Sequence, residues 1–210
     1  MEENMAILMA DLSGYTALTE THGSVSAADL IDKYIRIAKT CLVDDCRLHE
    51  RNGDEIMIVS RSADSLLQTA LLLGERTASE ENFLQIHGGL HFGKVLKRGD
   101  SYFGSPINLT ARIAANANTE TFCCSEEFMN ALTDKSKYKM RSKGIQYFKN
   151  ISDGKKIFEV SIKRETTFHI DSVCRMLLLN LKNAIKHPFE EKYFCSSHCL
   201  HIYSNTSLQS

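Results

Sequence analysis

Stretches of strand-like and helix-like periodicity follow one another in the order β-α-β-β-α-β, which predicts an α+β fold with a split βαβ, ferredoxin-like core: an antiparallel sheet covered by helices. Two observations carry this reading. The run Met5–Ala10 is apolar and short, the length of a buried strand and far below that of a membrane span, and it leads directly to Asp11 and a Ser13-Gly14 turn. Further on, Asn52-Gly53 is a strong hairpin signal between two strand-like stretches. The chain has 210 residues, 43% hydrophobic and 24% charged, which suits one main domain with a small appendage.

The elements follow in order. After the first strand, Tyr15-Thr16 can open a helix. Ser26 to Arg47 reads as a helix, with Ser26 and Asp29 as a capping box and Leu30, Ile31, Tyr34, Ile37, Ala38, Cys41 and Leu42 at helical spacing. Arg47–Arg51 and Asp54–Ser60 flank the hairpin turn, and Ile56, Ile58 and Val59 favour a strand in the second. Ala63 to Ala78 has an aliphatic helical face, and Leu84–Phe92 and Lys94–Lys97 read as paired strands around Gly93. Ser105-Pro106 places a cap residue and a first-turn proline at the start of another helix. Thr121–Cys124 is a short strand, Ser125 caps a brief helix, and Ile145–Lys149 and Lys156–Ile162 close the sheet.

The net charge is −1 with no long basic run, which argues against nucleic acid or an anionic membrane surface as main partners. Glu2 and Glu3 stand where a signal peptide needs basic residues, and no apolar run approaches the ~18 residues of a spanning helix. A cytoplasmic protein is expected. Seven cysteines, an odd number in a reducing compartment, then read as thiols or metal ligands and not as a disulfide framework.

A carboxylate at a strand end, a small-residue turn and a helix start form a phosphate and metal site. The turn amides and helix dipole around Ser13, Gly14, Tyr15 and Thr16 favour anions, and Asp11 offers a hard oxygen for Mg²⁺. In a split βαβ core the first and third strands are antiparallel neighbours, so Asp54 meets Asp11 at one sheet edge. Two such acids can hold two Mg²⁺ or Mn²⁺ ions about 4 Å apart, as phosphoryl chemistry requires. On the later helix, Asn108 and Arg112 are four apart and share a face.

Three blocks, ADLSGYTALT at 10–19, NGDEIMIV at 52–59 and YFGSPINLTARI at 102–113, together resemble the catalytic domain of class III adenylate and guanylate cyclases. The resemblance spans about 160 residues and implies a domain at 1–163. It implies that Asp11 and Asp54 bind two metal ions, that Asn108 orients the ribose, that Arg112 stabilises charge on the α-phosphate, and that Lys149 grips the triphosphate. Each active site of this family lies between two subunits, so a single-domain chain is expected to act as a homodimer on a purine nucleoside triphosphate. The two purine-reading positions depart from the adenylate cyclase pattern. Glu50 stands in place of lysine and suits guanine donors, as in guanylate cyclases, whereas Ser101 at the second position resembles some bacterial adenylate cyclases. GTP and ATP both remain open.

The tail reads IDSVCRM around Cys174 and FCSSHC at Cys195 and Cys199, which resembles a YHS or TRASH-like module at 166–210, a small treble-clef unit. Three thiolates imply Zn²⁺, Cu⁺ or another thiophilic metal, with a fourth ligand from His169, His198, His201 or a water. Cys41 reads as core, and Cys46, Cys123 and Cys124 lack ligand spacing. The resulting expectation is a signalling nucleotide cyclase that forms a 3′,5′-cyclic monophosphate and pyrophosphate. The alternatives are an inactive cyclase-fold regulator that binds nucleotide, or a metal sensor working through the tail.

Overall fold

The structure, a computed structural model, describes residues 1–162 and 167–207. The expected boundary between 163 and 166 lies outside the described residues, as do positions 208–210. The first part of the chain builds one sheet from β1 (Glu2–Ser13), β2 (Arg47–Asn52), β3 (Glu55–Ser60), β4 (Gln85–Arg98), β5 (Ser101–Phe103), β6 (Thr121–Ser125), β7 (Arg141–Gln146) and β8 (Lys155–Ser161). Its helices are α1 (Tyr15–Thr40), α2 (Ala63–Ala78), α3 (Ser105–Ala115) and α4 (Glu126–Ala131). The strand order is β2-β3-β1-β4-β6-β8-β7, with β5 folded back on β4. The expected α+β fold is present, and β1 lies antiparallel to β3 as anticipated.

The central strand shows why its sequence is continuously apolar. Ala6, Leu8, Ala10 and Leu12 face one core with Leu30, Tyr34, Leu66 and Leu67 of α1 and α2. Met5, Ile7 and Met9 face a second cluster with Met57, Val59, Val95, Tyr102 and Ala114. A strand buried on both faces has no polar side to alternate with. Leu8 and Ile58 are fully buried, and each such side chain contributes roughly 1.5–3 kcal/mol.

Four expectations are corrected. A helix opens at Tyr15 as expected, but it runs on past Ser26 as one element and stops at Thr40, leaving Arg47 to open β2. It breaks at Gly23 (φ 81°, ψ 169°), so Ser26 lies past the break, within the helix, and not at its start. The paired strands around Gly93 are a single strand, β4, which pairs with β1 from Glu2 to Ser13. Gly93 makes no turn; a Cβ there would meet Pro106 Cγ at 2.8 Å, so the glycine admits the start of α3. The cap of α3 is Gly104 (φ 136°), with Ser105 already helical. Finally, β7 ends at Gln146, and Lys149 falls in the connection to β8 instead of a strand. β7 is an edge strand of mostly exposed polar residues with a bulge between Ser142 and Gly144, so no apolar alternation marks it.

After residue 167 come β9 (His169–Ile170), β10 (Leu177–Leu178), β11 (Ile185–Lys186), β12 (Tyr193–Phe194) and α5 (Ser197–Ser207). They form two hairpins, β9 with β10 and β11 with β12, followed by a helix. This segment is bonded to the sheet domain. Leu177 N–H donates to Phe83 O at 2.7 Å, Asn82 N–H donates to Leu177 O at 3.0 Å, and Glu81 Oε2 accepts from Leu179 and Asn180 N–H at 2.9 and 3.1 Å.

Candidate functional site

Asp11 lies in β1 opposite His87 of β4. Asn52 pairs with Glu55, so Gly53 and Asp54 form the two-residue turn of the β2–β3 hairpin, with Gly53 at φ 64°. Asp54 is therefore a turn residue and does not begin the strand. The turn stands beyond the Ala10–Ile56 pair and brings Asp54 to Asp11, where the two carboxyl groups share a hydrogen bond. Burial raises the pKa of Asp11, against a 2.9 Å hydrogen bond from Leu12 N–H. Burial, then the charge of Asp11, pushes Asp54 up to about 6. Glu55 is raised by burial and by its acidic neighbours Asp54 and Glu50.

Among the described residues no lysine or arginine pairs with Asp11, Asp54 or Glu55. The Tyr34 hydroxyl, fully buried and without a hydrogen-bond partner among them, lies within the field of the same three acids. Clustered hard oxygens lacking a basic partner fit a divalent cation.

The adjoining turn suits an anion. Gly14 caps α1 in the left-handed region (φ 97°, ψ 12°), and no side chain caps the first-turn amides opened by Tyr15 and Thr16. Ser13 Oγ is 2.9 Å from His87 Nδ1, a partner the sequence did not announce.

Asn108 and Arg112 lie exposed on α3, while Leu109, Ile113 and Ala114 pack inward. Neither side chain has a hydrogen bond or ion pair among the described residues. Among the described residues Arg112 makes no ion pair with Asp11 or Asp54. Lys149 is exposed beside buried Phe148, which packs with Leu109 and Ile113 of α3. Glu50 pairs with Met57 in β3, and Ser101 pairs with Arg98 at the tip of the β4–β5 hairpin. Their strands meet through His49 and Tyr102, whose rings are 4.8 Å apart, but no hydrogen bond among the described residues links Glu50 to Ser101. Arg47 also donates to the Tyr102 hydroxyl.

The cysteine pattern of the tail converges. Cys174 sits in the knuckle between β9 and β10, Cys195 directly follows β12, and Cys199 lies in the first turn of α5. Cys195 Sγ is 3.5 Å from both Cys174 Sγ and Cys199 Sγ, too far for a disulfide at ~2.05 Å. Buried Asp171 ties the two knuckles together. Its Oδ1 accepts from Val173 and Cys174 N–H at 2.8 and 3.1 Å, and its Oδ2 accepts from Cys195 N–H at 2.7 Å. None of the three expected histidines is in the cluster. The histidine that joins the three sulfurs is His22 of α1, whose Nε2 lies 3.5 Å from both Cys195 and Cys199 Sγ. His198 instead bonds the Thr21 carbonyl at 3.1 Å, His201 bonds Asn205 at 2.9 Å, and His169 packs at a tilt against Tyr193.

The family model of the adenylate and guanylate cyclase catalytic domain matches residues 1–172. The chain belongs to the adenylate and guanylate cyclase family. An uncharacterized protein of Mycobacterium tuberculosis is 32% identical over 126 residues, which is 60% of this chain and 33% of that protein. An adenylate cyclase of Glutamicibacter nicotianae is 26% identical over 149 residues, 70% of this chain and 37% of that one. The chain thus spans about a third of the length of these curated relatives. Among solved structures, an adenylate cyclase of Trypanosoma brucei in its monomeric state superimposes with a TM-score of 0.71 at 17% identity, over 91% of this chain and 95% of that one. A guanylate cyclase domain from Catenaria anguillulae in complex with GTP gives 0.63 at 17% identity, over 78% and 100%. These likenesses place the cyclase fold on the sheet domain. No helix among the described residues is long and apolar enough to cross a membrane.

Proposed function

We propose that residues 1–163 form a nucleotide cyclase domain acting on GTP or ATP, followed by a metal-binding module at 166–210. The observation that carries this is the pairing of Asp11 with Asp54 beside an uncapped helix start, with Asn108 and Arg112 exposed on α3 and unpaired among the described residues. The ribose 3′-hydroxyl attacks the α-phosphate, and pyrophosphate leaves. Asp11 and Asp54 would hold two Mg²⁺ or Mn²⁺ ions, which when bound acidify the 3′-hydroxyl and neutralise phosphate charge. The amides at Gly14–Thr16 bind phosphate oxygens, Asn108 orients the ribose, and Arg112 stabilises charge on the α-phosphate. Lys149 grips the triphosphate, and Glu50 and Ser101 face the purine.

Asp11 and Asp54 make no bond to Asn108 or Arg112 among the described residues, and the reading takes the acids from one subunit and the α3 pair from the other, in a homodimer with composite sites. A soluble cytoplasmic signalling enzyme fits the same features. The test is to incubate the protein with GTP or ATP and Mn²⁺ and to identify cyclic products by mass. Mixing inactive Asp54→Ala chains with inactive Arg112→Ala chains should restore partial activity, because each heterodimer keeps one whole site. Proven heterodimers without recovery would contradict the composite site.

A further inference from the structure

The three cysteines are drawn from the tail, but the fourth donor is not. We infer that His22, on the first segment of α1, completes a Cys₃His site with Cys174, Cys195 and Cys199 for a tetrahedral thiophilic ion such as Zn²⁺, and that this ion fastens the C-terminal module to the phosphate-binding turn of the cyclase domain. The inference rests on the three-cysteine reading of the tail and extends it.

The geometry carries the assignment. Around a tetrahedral zinc with Zn–S of about 2.3 Å and Zn–N of about 2.0–2.1 Å, sulfurs lie about 3.8 Å apart and a sulfur and nitrogen about 3.5 Å apart. Here two of the sulfur–sulfur separations are 3.5 Å, two of the nitrogen–sulfur separations are 3.5 Å, and all four donors lie within 4.8 Å of one another. Cys174 and Cys199 are fully buried, and Cys195 and His22 partly so, which limits the access of bulk water to the four donors. His22 is 173 residues from Cys195, so no local packing rule explains the approach.

The position of His22 makes the ion a tie. Gly23 breaks the helix, with none of the described residues within 4 Å of where its Cβ would stand. Tyr15–His22 is therefore a separate rod of eight residues, about 12 Å long. Gly14 of the phosphate turn starts the rod, and His22 ends it. The module grips both ends. Arg175, next to Cys174, packs its Cβ and Cγ where a Gly14 Cβ would stand, at 2.5 and 2.8 Å. At the other end His198 holds the Thr21 carbonyl at 3.1 Å. Metal ligation at His22 thus fixes the same short helix that presents the turn amides to phosphate.

The test uses the full chain, stripped of metal and then titrated with Zn²⁺ against a competing chelator, with Co²⁺ as a spectroscopic probe. Parent protein should bind one equivalent and show the strong visible bands of tetrahedral Co²⁺ with thiolate charge transfer. His22→Ala should bind at least ten-fold more weakly and change the Co²⁺ spectrum, while His22→Cys should restore affinity and move the spectrum toward four thiolates. Amide exchange at Tyr15–His22 should slow on Zn²⁺ addition in the parent and not in Cys195→Ser. Equal Zn²⁺ affinity and an unchanged Co²⁺ spectrum in folded His22→Ala would overturn the assignment of His22 while leaving the cysteine site standing. Absence of binding to the parent would overturn both. Zinc binding through His22 with unaltered exchange in the rod would overturn the tie.

Discussion

Gly89 is the point where packing and the α3 side chains depend on one atom. It lies in β4 between Met9 of β1 and Cys123 of β6, directly under α3. A Cβ there would collide with Ala114 N, and would stand 2.7 Å from Thr110 O and 2.9 Å from Ala114 Cα. All three are backbone atoms of one rigid helix, so no side chain can rotate away. Relief to ordinary contact, about 3.5–4.0 Å, requires α3 to lift by roughly 1 Å. Such overpacking costs about 1–3 kcal/mol, and the gap opened under buried Leu109 and Ile113 places Gly89→Ala toward the upper end. The lift also carries Asn108 and Arg112, and a 1 Å misplacement can cost about 100-fold in rate. Urea unfolding followed by circular dichroism should show a lower midpoint with an unchanged slope. Gly99→Ala is the control, since its Cβ would meet none of the described residues within 4 Å and only its φ of 57° is strained. Gly89→Ala within ~0.5 kcal/mol of the parent, with full cyclase turnover, would refute the claim that this close approach positions the helix.

Two further outcomes follow from the same kind of reasoning. His91 is 5% exposed, its Nδ1 lies 2.7 Å from Ser125 Oγ, and burial pushes its pKa from 6.5 down to about 4. The unfolded chain therefore binds the extra proton first, and stability falls as pH drops from 6.5 toward 4, by about 3 kcal/mol at most; His91→Gln should flatten that slope, and parallel unfolding curves for the two proteins would contradict it. Glu50→Lys with Ser101→Asp should shift nucleotide preference toward ATP, because a donor replaces an acceptor opposite adenine N1, and unchanged relative rates would mean that these side chains do not read the base.

Much of the sheet domain is legible in the sequence where one period dominates. α2 spans Ala63–Ala78 as its aliphatic face predicts, and Ser125 caps α4 with a 3.2 Å bond from Phe128 N–H. Legibility fails where tertiary contact decides. Gly93 looks like a turn from its neighbours, yet it exists to admit Pro106. β7 is held by β8 and by ion pairs of Arg141 and Lys143 with buried Glu159, and an exposed edge of this kind has no apolar period to detect. At the candidate sites, carboxylates and cysteines stand in recognisable spacings, whereas His22 stands in a THG stretch with no ligand pattern around it. Its signal would have been the distance between two parts of the chain, which spacing along one stretch cannot contain. Tyr34 is similar: a core position of α1 by periodicity, whose hydroxyl, without a hydrogen-bond partner among the described residues, becomes notable only beside Asp11, Asp54 and Glu55.

The acid pair is costly to the fold, and this separates a site from a structural device. Three half-buried carboxyl groups stand together with no lysine or arginine among the described residues to pair with them, and like charges at short range in a partly desolvated place repel. Asp54→Asn removes one charge, keeps the shape, and leaves a side-chain amide that can donate to Asp11. In chelator at neutral pH the variant should therefore be more stable than the parent, by about 1 kcal/mol once solvent screening of the half-exposed turn is allowed for. Adding Mg²⁺ should reverse the order, since a ligand that binds only the folded parent stabilises it by mass action, about 2.7 kcal/mol at a hundred times the dissociation constant. Thermal unfolding in chelator and in Mg²⁺ measures both arms. A less stable Asn variant in chelator, together with a parent indifferent to Mg²⁺, would mean that the pair is held by its hydrogen bond as ordinary structure and that the cation site lies elsewhere.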